Sequence, residues 1–335
     1  MRKSKIKESN NGITLIALVI TIIVLLILAG VAIVTLTGDN GLLQKAGEAK
    51  NTTLEAEGLE KIQLAVMASH DNRGINTTSL AENLSKINGL TDTNNQAITE
   101  ITLPKSVKLN NTKYDIKEDG TVEKSLLPLE YEQVEYLESS GKQYINTGYY
   151  PDQNTNAKYK VSVKEYQTYG PHLLSSKDYY FPFYRTKNNS LAGLRGGTPF
   201  GLTNVVFSAN TIYEYEAFNE NNIIINGEIV ETVESTGTKD TIPLYIGTYG
   251  AAPGNASYSL KGKIYYCKIF NNEILTRDLI PCYCTTTVTD VNVKQCSAGT
   301  AGLYDTVEGK FYTNQGTGTF GYGMEDGTYV APTNN

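Results

Sequence analysis

The chain of 335 residues contains no tryptophan and only two histidines, His70 and His172, which stand far apart with no motif around either. That scarcity excludes a centre built on paired histidines, and no G-x-S-x-G elbow is present to seat a nucleophilic serine. Aromatic residues are missing from the first 113 positions altogether. From Tyr131 onward come 23 of the 24 tyrosines and all eight phenylalanines. Aromatic side chains supply much of the buried area of a core. The compact core is therefore expected in the C-terminal 205 residues, with a boundary near residues 125–130. A basic block is missing too: beyond Gly12, 25 basic side chains face 34 acidic ones, a net −9. Without such a block, nucleic acid is not the expected partner.

Cysteine is also scarce. Cys267, Cys282, Cys284 and Cys296 all fall within one 30-residue window. An even count on an extracellular domain permits disulfides, in three pairings. At most one or two bridges are expected. Cys284–Cys296 is the favoured pair, because the two bracket the short excursion "CTTTVTDVNVKQC". Four buried thiols are the alternative. Zinc would ask for C-x2-C pairs, and the only close pair is C-x-C at Cys282 and Cys284. Neither a metal nor a cofactor is expected.

What the chain does possess is a long apolar run. From Ile13 to Val34 there are 22 uncharged residues, whose only polar side chains are Thr14 and Thr21. A helix needs ~20 apolar residues to cross a bilayer. Before the run stand Arg2, Lys3, Lys5 and Lys7 against Glu8 alone, so the first 12 residues carry +3. Basic flanks stay in the cytoplasm, which puts the N-terminus inside and the C-terminal bulk outside, at the cell surface. A cleaved secretory signal would have an apolar region of about 7–15 residues. This run is longer, although Gly30-Val31-Ala32 would serve as a cleavage site. A plain single-span membrane anchor is the other simple account.

The start of the run carries a resemblance. A short basic leader ends in Gly12, and "ITLIALVITI" follows at once. This resembles the N-terminus of a type IV prepilin or pseudopilin. The resemblance implies cleavage by a prepilin peptidase between Gly12 and Ile13, and methylation of the new N-terminus. It also implies a helix, including Leu15, Ile16, Ala17 and Leu18, that serves as both membrane anchor and filament core. Two positions depart from the family pattern: Ile13 stands where Phe is usual, and Ala17 where Glu is usual. In the family that Glu is thought to neutralise the N-terminal amine of a neighbouring subunit, and an unpaired charge among apolar helices is costly.

Beyond the run, Gly38 and Gly41 interrupt the helix, and Leu42 to about Ser69 reads as helix again. Leu59, Ile62 and Val66 share one face. Gly47 and Gly58 each weaken it by ~1 kcal/mol relative to Ala. A second short helix is expected at "TSLAENLSKI", capped by Thr78 or Ser79. "AITEITLP", "SVKLN", "TKYDI" and "GTVEK" then read as short strands separated by Asn-Asn and Asp-Gly turns. From residue 129 the pattern is all β: "YKVSV", "NVVFS", "IIINGEIVETV", "PLYIGTY", "KIYYCKIF" and "LTRDLIPCY". Asn226-Gly227 suits a two-residue hairpin turn, and "FNNE" at Phe270–Glu273 marks a second. A two-sheet sandwich follows.

"YEQVEYLESSGKQYINTGYYP", "IIINGEIV", "GKIYYCKIF", "RDLIPCY" and "GLYDTVEGKFYTNQGTGTF" occur in that order. Together they resemble concanavalin A-like, laminin-G-type jelly-roll modules over about residues 130–322. The expected order is thus a basic leader over 1–12, a transmembrane helix over 13–38, a helical and small-sheet spacer over 39–125, a β-sandwich over 129–323 and a flexible tail over 324–335. The chain as a whole is α+β.

Other motifs dissolve on inspection. Gly316-Thr317-Gly318-Thr319-Phe320-Gly321 spells G-x-G-x-x-G, but no helix and no acidic partner follow. Asp152-Gln153-Asn154-Thr155-Asn156 starts like an EF-hand loop, yet Ala157 and Val163 occupy its critical positions; a weaker calcium site of the laminin-G sort, built from scattered Asp and backbone carbonyls, is the alternative. Glu214 and Glu216 project to one strand face and read as solvated carboxylates. The expectation is a non-enzymatic surface protein, a minor pilin or pseudopilin subunit displaying an adhesive head. Its partners would be the membrane, prepilin peptidase, other pilin-like subunits and an extracellular glycan or protein. The alternatives are an anchored glycan- or protein-binding protein that never polymerises and a concanavalin-fold glycoside hydrolase. Processing has a direct check. Mass spectrometry of the protein from cells should find a mature peptide beginning at Ile13, and a dominant intact Met1 peptide would refute the cleavage.

Overall fold

The computed structural model describes residues 19–27, 29, 42–166, 169–185, 190–203, 206–234, 237–287, 296–324 and 327–334. The chain divides into two compact units, 1–125 and 126–335. Residues 19–27 are helical (α1), and their apolar side chains are exposed, Leu26 at 67%. Among the described residues no helix is long and apolar enough to cross a membrane. The transmembrane helix expected over 13–38 is therefore not shown. Most of it, including Ile13, Leu15, Ile16, Ala17 and Leu18, lies outside the described residues, as does the leader residue Gly12.

The first unit is a helix laid on a small sheet. Helix α2 (Leu42–Met67) buries Ile62, Ala65 and Val66 with Leu59 packed beside them. Helix α3 (Thr77–Ser85) adds Leu80, Ala81 and Leu84. Its cap is Asn76 rather than Thr78 or Ser79: the Asn76 side chain accepts the Ser79 N–H at 3.1 Å. Asn caps as well as any residue. Strands β1 (His70–Asp71) and β2 (Gly74–Ile75) pair with each other. Strands β3 (Thr91–Asp92), β4 (Lys105–Leu109), β5 (Thr112–Ile116) and β6 (Val122–Lys124) form an antiparallel sheet in that order. The segment "AITEITLP", expected as a strand, is irregular up to Pro104, though Ile98 and Ile101 still enter the core. Alternation alone does not make a strand where the backbone finds no partner.

Tyr114, the one aromatic residue of this unit, lies against Gly58, and its hydroxyl donates to the Glu55 carbonyl at 2.9 Å. A Cβ at Gly58 would stand 2.9 Å from the phenol Cζ. The glycine that costs the helix propensity is what lets the sheet close on it.

The second unit is all β. Its strands begin β7 (Tyr131–Gln133), β8 (Tyr136–Ser140), β9 (Ile145–Asn146), β10 (Thr155–Val163), β11 (Leu174–Ser175), β12 (Tyr180–Arg185), β13 (Ser190–Arg195), β14 (Thr198–Thr203) and β15 (Ile212–Asn219). They continue with β16 (Asn222–Ile225), β17 (Glu228–Thr232), β18 (Tyr245–Ile246), β19 (Lys261–Asn271), β20 (Ile274–Cys284), β21 (Ala301–Asp305), β22 (Lys310–Thr313), β23 (Gly321–Gly323) and β24 (Tyr329–Val330). Among the described residues one sheet follows the path β17-β16-β15-β10-β19-β20-β21-β22, with β7, β8, β23 and β24 attached at its side. The other runs β14-β13-β12-β11-β18-β9. Their inner faces share one core, from Tyr159, Val161 and Ile264 on the first to Phe181, Leu191 and Ile246 on the second. This is a jelly-roll-like β-sandwich.

Turn chemistry sets its hairpins. Asn226 and Gly227 both take positive φ between β16 and β17, as do Asn272 and Glu273 between β19 and β20. Such turns match the right-handed twist of the flanking strands. "NVVFS" does not form a strand in its described part: residues 206–208 are loop, and Phe207 packs into the core from there. The tail is not free either. β24 pairs with β23, and the Ser140 and Asn334 side chains hydrogen-bond at 2.5 Å. Cys284 and Cys296 form a disulfide with Cα atoms 6.5 Å apart, while Cys267 and Cys282 are buried outside it.

Gly58→Ala tests the helix–sheet contact of the first unit. The substitution should add about 1 kcal/mol of helix propensity yet destabilise the unit by roughly 1–3 kcal/mol through overpacking. Adding Tyr114→Phe should recover part of that loss, read as the midpoint of urea unfolding followed by amide exchange in β4 and β5. A Gly58→Ala protein more stable than the parent would refute the contact.

Candidate functional site: a tyrosine face on the six-stranded sheet

Cross-strand partners share a face of a sheet. Register therefore places Asn146, Tyr245, Ser175, Tyr180 and Leu194 in one row on β9, β18, β11, β12 and β13. Leu174, Ile145 and Ile246, their neighbours along the strands, point into the core, so this row lies on the outer face. The segment after β18 folds back over it. Ser175 is fully buried there: its hydroxyl donates to the Thr248 carbonyl at 2.9 Å and accepts the Gly250 N–H at 3.2 Å. Tyr249 and Tyr258 arrive with that segment.

The rings gather around His172. Phe183 stacks on the imidazole at 4.2 Å between centroids, and Tyr180 and Tyr258 meet it edge-on at 5.1 and 5.4 Å. Tyr249 lies 5.2 Å away and accepts a 2.8 Å hydrogen bond from the Tyr180 hydroxyl. Further along the row, the Tyr245 ring sits 6.0 Å from Tyr144, and its hydroxyl accepts from the Asn146 amide at 3.2 Å. Tyr144, Tyr180, Tyr245, Tyr249 and Tyr258 are all half-buried, so each shows part of its ring and is held by the rest.

The loops that carry this face are pinned by Asp240. Its carboxylate is almost fully buried and accepts the Ser176 hydroxyl at 2.6 Å and the N–H groups of Lys177, Asp178 and Ile242 at 3.0, 2.7 and 3.0 Å. Burial pushes its pKa up, but these hydrogen bonds outweigh it and hold the carboxyl below its ordinary range. Asp240 thus ties the turn between β11 and β12 to the segment that leads into β18.

His172 is 4% exposed, and burial lowers its pKa to about 4, against a small opposing contribution from a hydrogen bond to the Tyr169 backbone. Its Nδ1 is buried without a hydrogen-bond partner among the described residues. A neutral imidazole here acts as a flat ring that the tyrosines pack around. It is not a base poised near neutral pH.

Other residues singled out in the sequence resolve into structure. The Asp152 carboxylate accepts the Asn154 N–H and the Asn271 amide at 2.9 and 3.0 Å, which makes it a turn-former. Gly316–Gly321 forms the turn between β22 and β23, with Gly318 at φ +69°. Among the described residues no cluster of side chains is arranged to hold a metal. Several tyrosines, including Tyr159, Tyr179 and Tyr215, are core residues. The outer face escaped sequence reasoning because its members come from separate segments, and no local spacing announces it.

No known family and no curated protein matches the sequence. Among solved structures, the fold is similar to a Bacteroides ovatus protein provisionally described as carbohydrate-binding, with 12% identity and a TM-score of 0.40 over 60% of this chain. The chain spans 62% of that protein's length. It is also similar to a SAP-like pentraxin of Limulus polyphemus, with 8% identity and a TM-score of 0.29, over 44% of this chain and 77% of the pentraxin. These overlaps are too slight to assign a ligand.

Burial of neutral His172 gives a pH signature. The unfolded chain takes up a proton near the ordinary value of 6.5 and the folded one only near 4. Stability from this site is present above pH 6.5 and falls as pH drops towards 4, by about 3 kcal/mol in all. Urea-unfolding midpoints of wild type should decline through that window, and those of His172→Phe should decline less. Identical slopes would show that His172 titrates alike in both states.

Proposed function

We propose that this protein is a surface-displayed binding protein whose sandwich holds extracellular glycan on the outer tyrosine face. The observation that carries the reading is the gathering of Tyr144, Tyr180, Tyr245, Tyr249 and Tyr258 on one face from segments up to 114 residues apart. A sugar ring presents C–H groups on its faces and hydroxyls at its edge. Tyrosine offers a matching apolar face and one hydroxyl at low conformational-entropy cost. The Asp240 hydrogen bonds and the His172 packing fix those rings before any ligand arrives, which lowers the ordering cost of binding.

The same proposal places the chain at the cell membrane, held by the apolar run that begins at Ile13. Its support is the basic leader, the uncharged length of the run and the exposed valine, isoleucine and leucine side chains of α1. Processing after Gly12 and entry into a filament as a minor pilin or pseudopilin rest on the "GITLI" resemblance. Ala17 favours a second form of the reading, an anchored binder that does not polymerise, because this chain has no carboxylate there to pair with the amine of Ile13.

The full chain in detergent micelles should retain particular oligosaccharides on a glycan array. Tyr245→Ala/Tyr249→Ala should weaken that retention about tenfold or more, as expected for the loss of two stacking rings, measured at a temperature well below the unfolding midpoint of both proteins. Retention of no glycan, or equal retention by the double variant, would overturn the assignment.

A further inference from the structure

β14 is the last strand of the six-stranded sheet and β17 the last of the other. Between them the sandwich opens into a groove of about 370 Å³, a volume in the range of sites for small organic molecules. Its walls follow from register. Leu202 on β14 pairs with the core residue Leu191, and Glu228 on β17 pairs with the core residue Ile225. Directly paired residues share a face of their sheet, so Leu202 and Glu228 both project between the sheets. Phe207 and Val230 extend the apolar lining, and the Tyr213 ring stands 4.7 Å from that of Phe207. β17 therefore places a carboxylate at an inward position where its neighbour β16 has isoleucine. Glu231, paired with the core residue Ile223, repeats the pattern, and one of its oxygens is buried. Neither carboxylate has a hydrogen-bond donor or an ion-pair partner among the described residues.

We propose that this groove binds a small amphipathic cation, an apolar or aromatic body that bears one primary ammonium group. The body would lie against Leu191, Leu202, Phe207 and Ile225, and the ammonium group would donate to the Glu228 carboxylate. Apolar walls raise the strength of such a charge-assisted hydrogen bond above its value in open water. Other ligand chemistries fit less well. A sugar needs polar partners along its edge, but the Tyr213 hydroxyl already accepts the Ser208 N–H at 3.0 Å and the Asn226 side-chain oxygen accepts the Glu214 N–H at 2.9 Å. A metal ion such as calcium takes six or more oxygen ligands, and Glu228 is the sole carboxylate among the described residues that line the groove. An added peptide strand needs an even edge, and the register of β17 against β16 shifts between Ile223 and Ile224. Inward charge also guards sheet edges against pairing, a role that needs no cavity beside it. The inference goes beyond glycan binding, since it uses neither the tyrosine face nor the loops that Asp240 pins.

The full chain in lipid nanodiscs is titrated with fluorescent probes that share a dansyl ring system and a short alkyl chain. The chains end in an ammonium, a carboxylate or a methyl group, and empty nanodiscs supply the background. The ammonium probe should bind saturably, one per chain, with a blue-shifted emission. The other probes should bind about tenfold more weakly or worse. Glu228→Gln, a neutral isostere at an exposed position, should lower the affinity for the ammonium probe to that for the methyl probe and leave the latter unchanged. Glu228→Lys should turn the preference towards the carboxylate probe. Tyr245→Ala/Tyr249→Ala should keep the ammonium site, whatever becomes of glycan retention. No saturable binding above empty nanodiscs, equal affinity for the probes, or loss of the ammonium site in the double tyrosine variant would each overturn the proposal. So would unaltered affinities in Glu228→Gln accompanied by self-association, which would make the carboxylate an edge guard alone.

Discussion

Burying a phenol between two sheets is costly unless its hydroxyl is paired, and one such pairing spans the sandwich. Tyr159 on β10 stacks on its cross-strand neighbour Tyr215 at 5.0 Å and donates its hydroxyl to the Pro182 carbonyl of the opposite sheet at 2.9 Å. Pro182 has no N–H to give the ladder and sits where the β12–β13 pairing is interrupted. The register of β12 against β13 shifts between Tyr180 and Phe183. The shift also changes which side chains face inward. Phe181 and Tyr184, three residues apart, both reach the core, whereas Phe183 turns out onto His172. Regular alternation would have sent Phe183 inward and Tyr184 outward. One bulge therefore joins the sheets and builds the floor of the tyrosine face. Bulges commonly re-aim side chains beside functional sites.

That dependence explains how much was legible in the residues themselves. Turn chemistry was legible: Asn226-Gly227 and Asn272-Glu273 carry their conformations locally, so both hairpins fall where the sequence puts them. The aromatic gradient was legible as well, because core burial scales with side-chain size and needs no knowledge of partners. Elements without partners were not. "AITEITLP" alternates like a strand but has none to pair with, and "NVVFS" enters the core from a loop. The residues 324–335, polar and glycine-bearing, look free yet pair through β24 and Thr333. The tyrosine face was least legible of all. Its rows depend on cross-sheet register, and register depends on the Pro182 bulge, which a pattern of "YYFPFY" does not reveal.

Rigidity of that face comes from polar groups beneath it. Asp240 accepts two backbone N–H groups of the part-buried 176–178 turn. Buried donors left without partners cost about 1–3 kcal/mol each, so the carboxylate is a structural requirement of the turn. The Ser175 hydroxyl likewise accepts the Gly250 N–H and donates to the Thr248 carbonyl. The aromatic surface is thus mounted on loops whose backbone bonds are accounted for. Loops built this way hold a binding surface in one shape without help from regular structure.

Two acidic sites lack the arrangement that glycoside hydrolysis requires. A glycosidase needs one carboxylic acid kept protonated by a raised pKa and a second carboxylate across a cleft. Glu214 and Glu216, the pair on one strand face, both reach the Lys158 ammonium, at 2.7 and 2.9 Å. The hydrogen bond from Lys158 holds the Glu214 carboxyl below its ordinary range, the wrong direction for a proton donor. Asp305 has the right direction, since burial raises it, but its side chain is fully buried. Its oxygens already accept the Asp278 and Val307 N–H groups and lie 3.3 Å from the Arg277 guanidinium. No substrate reaches a carboxyl enclosed in that way. Neither Glu214 nor Asp305 combines a raised pKa with access to solvent.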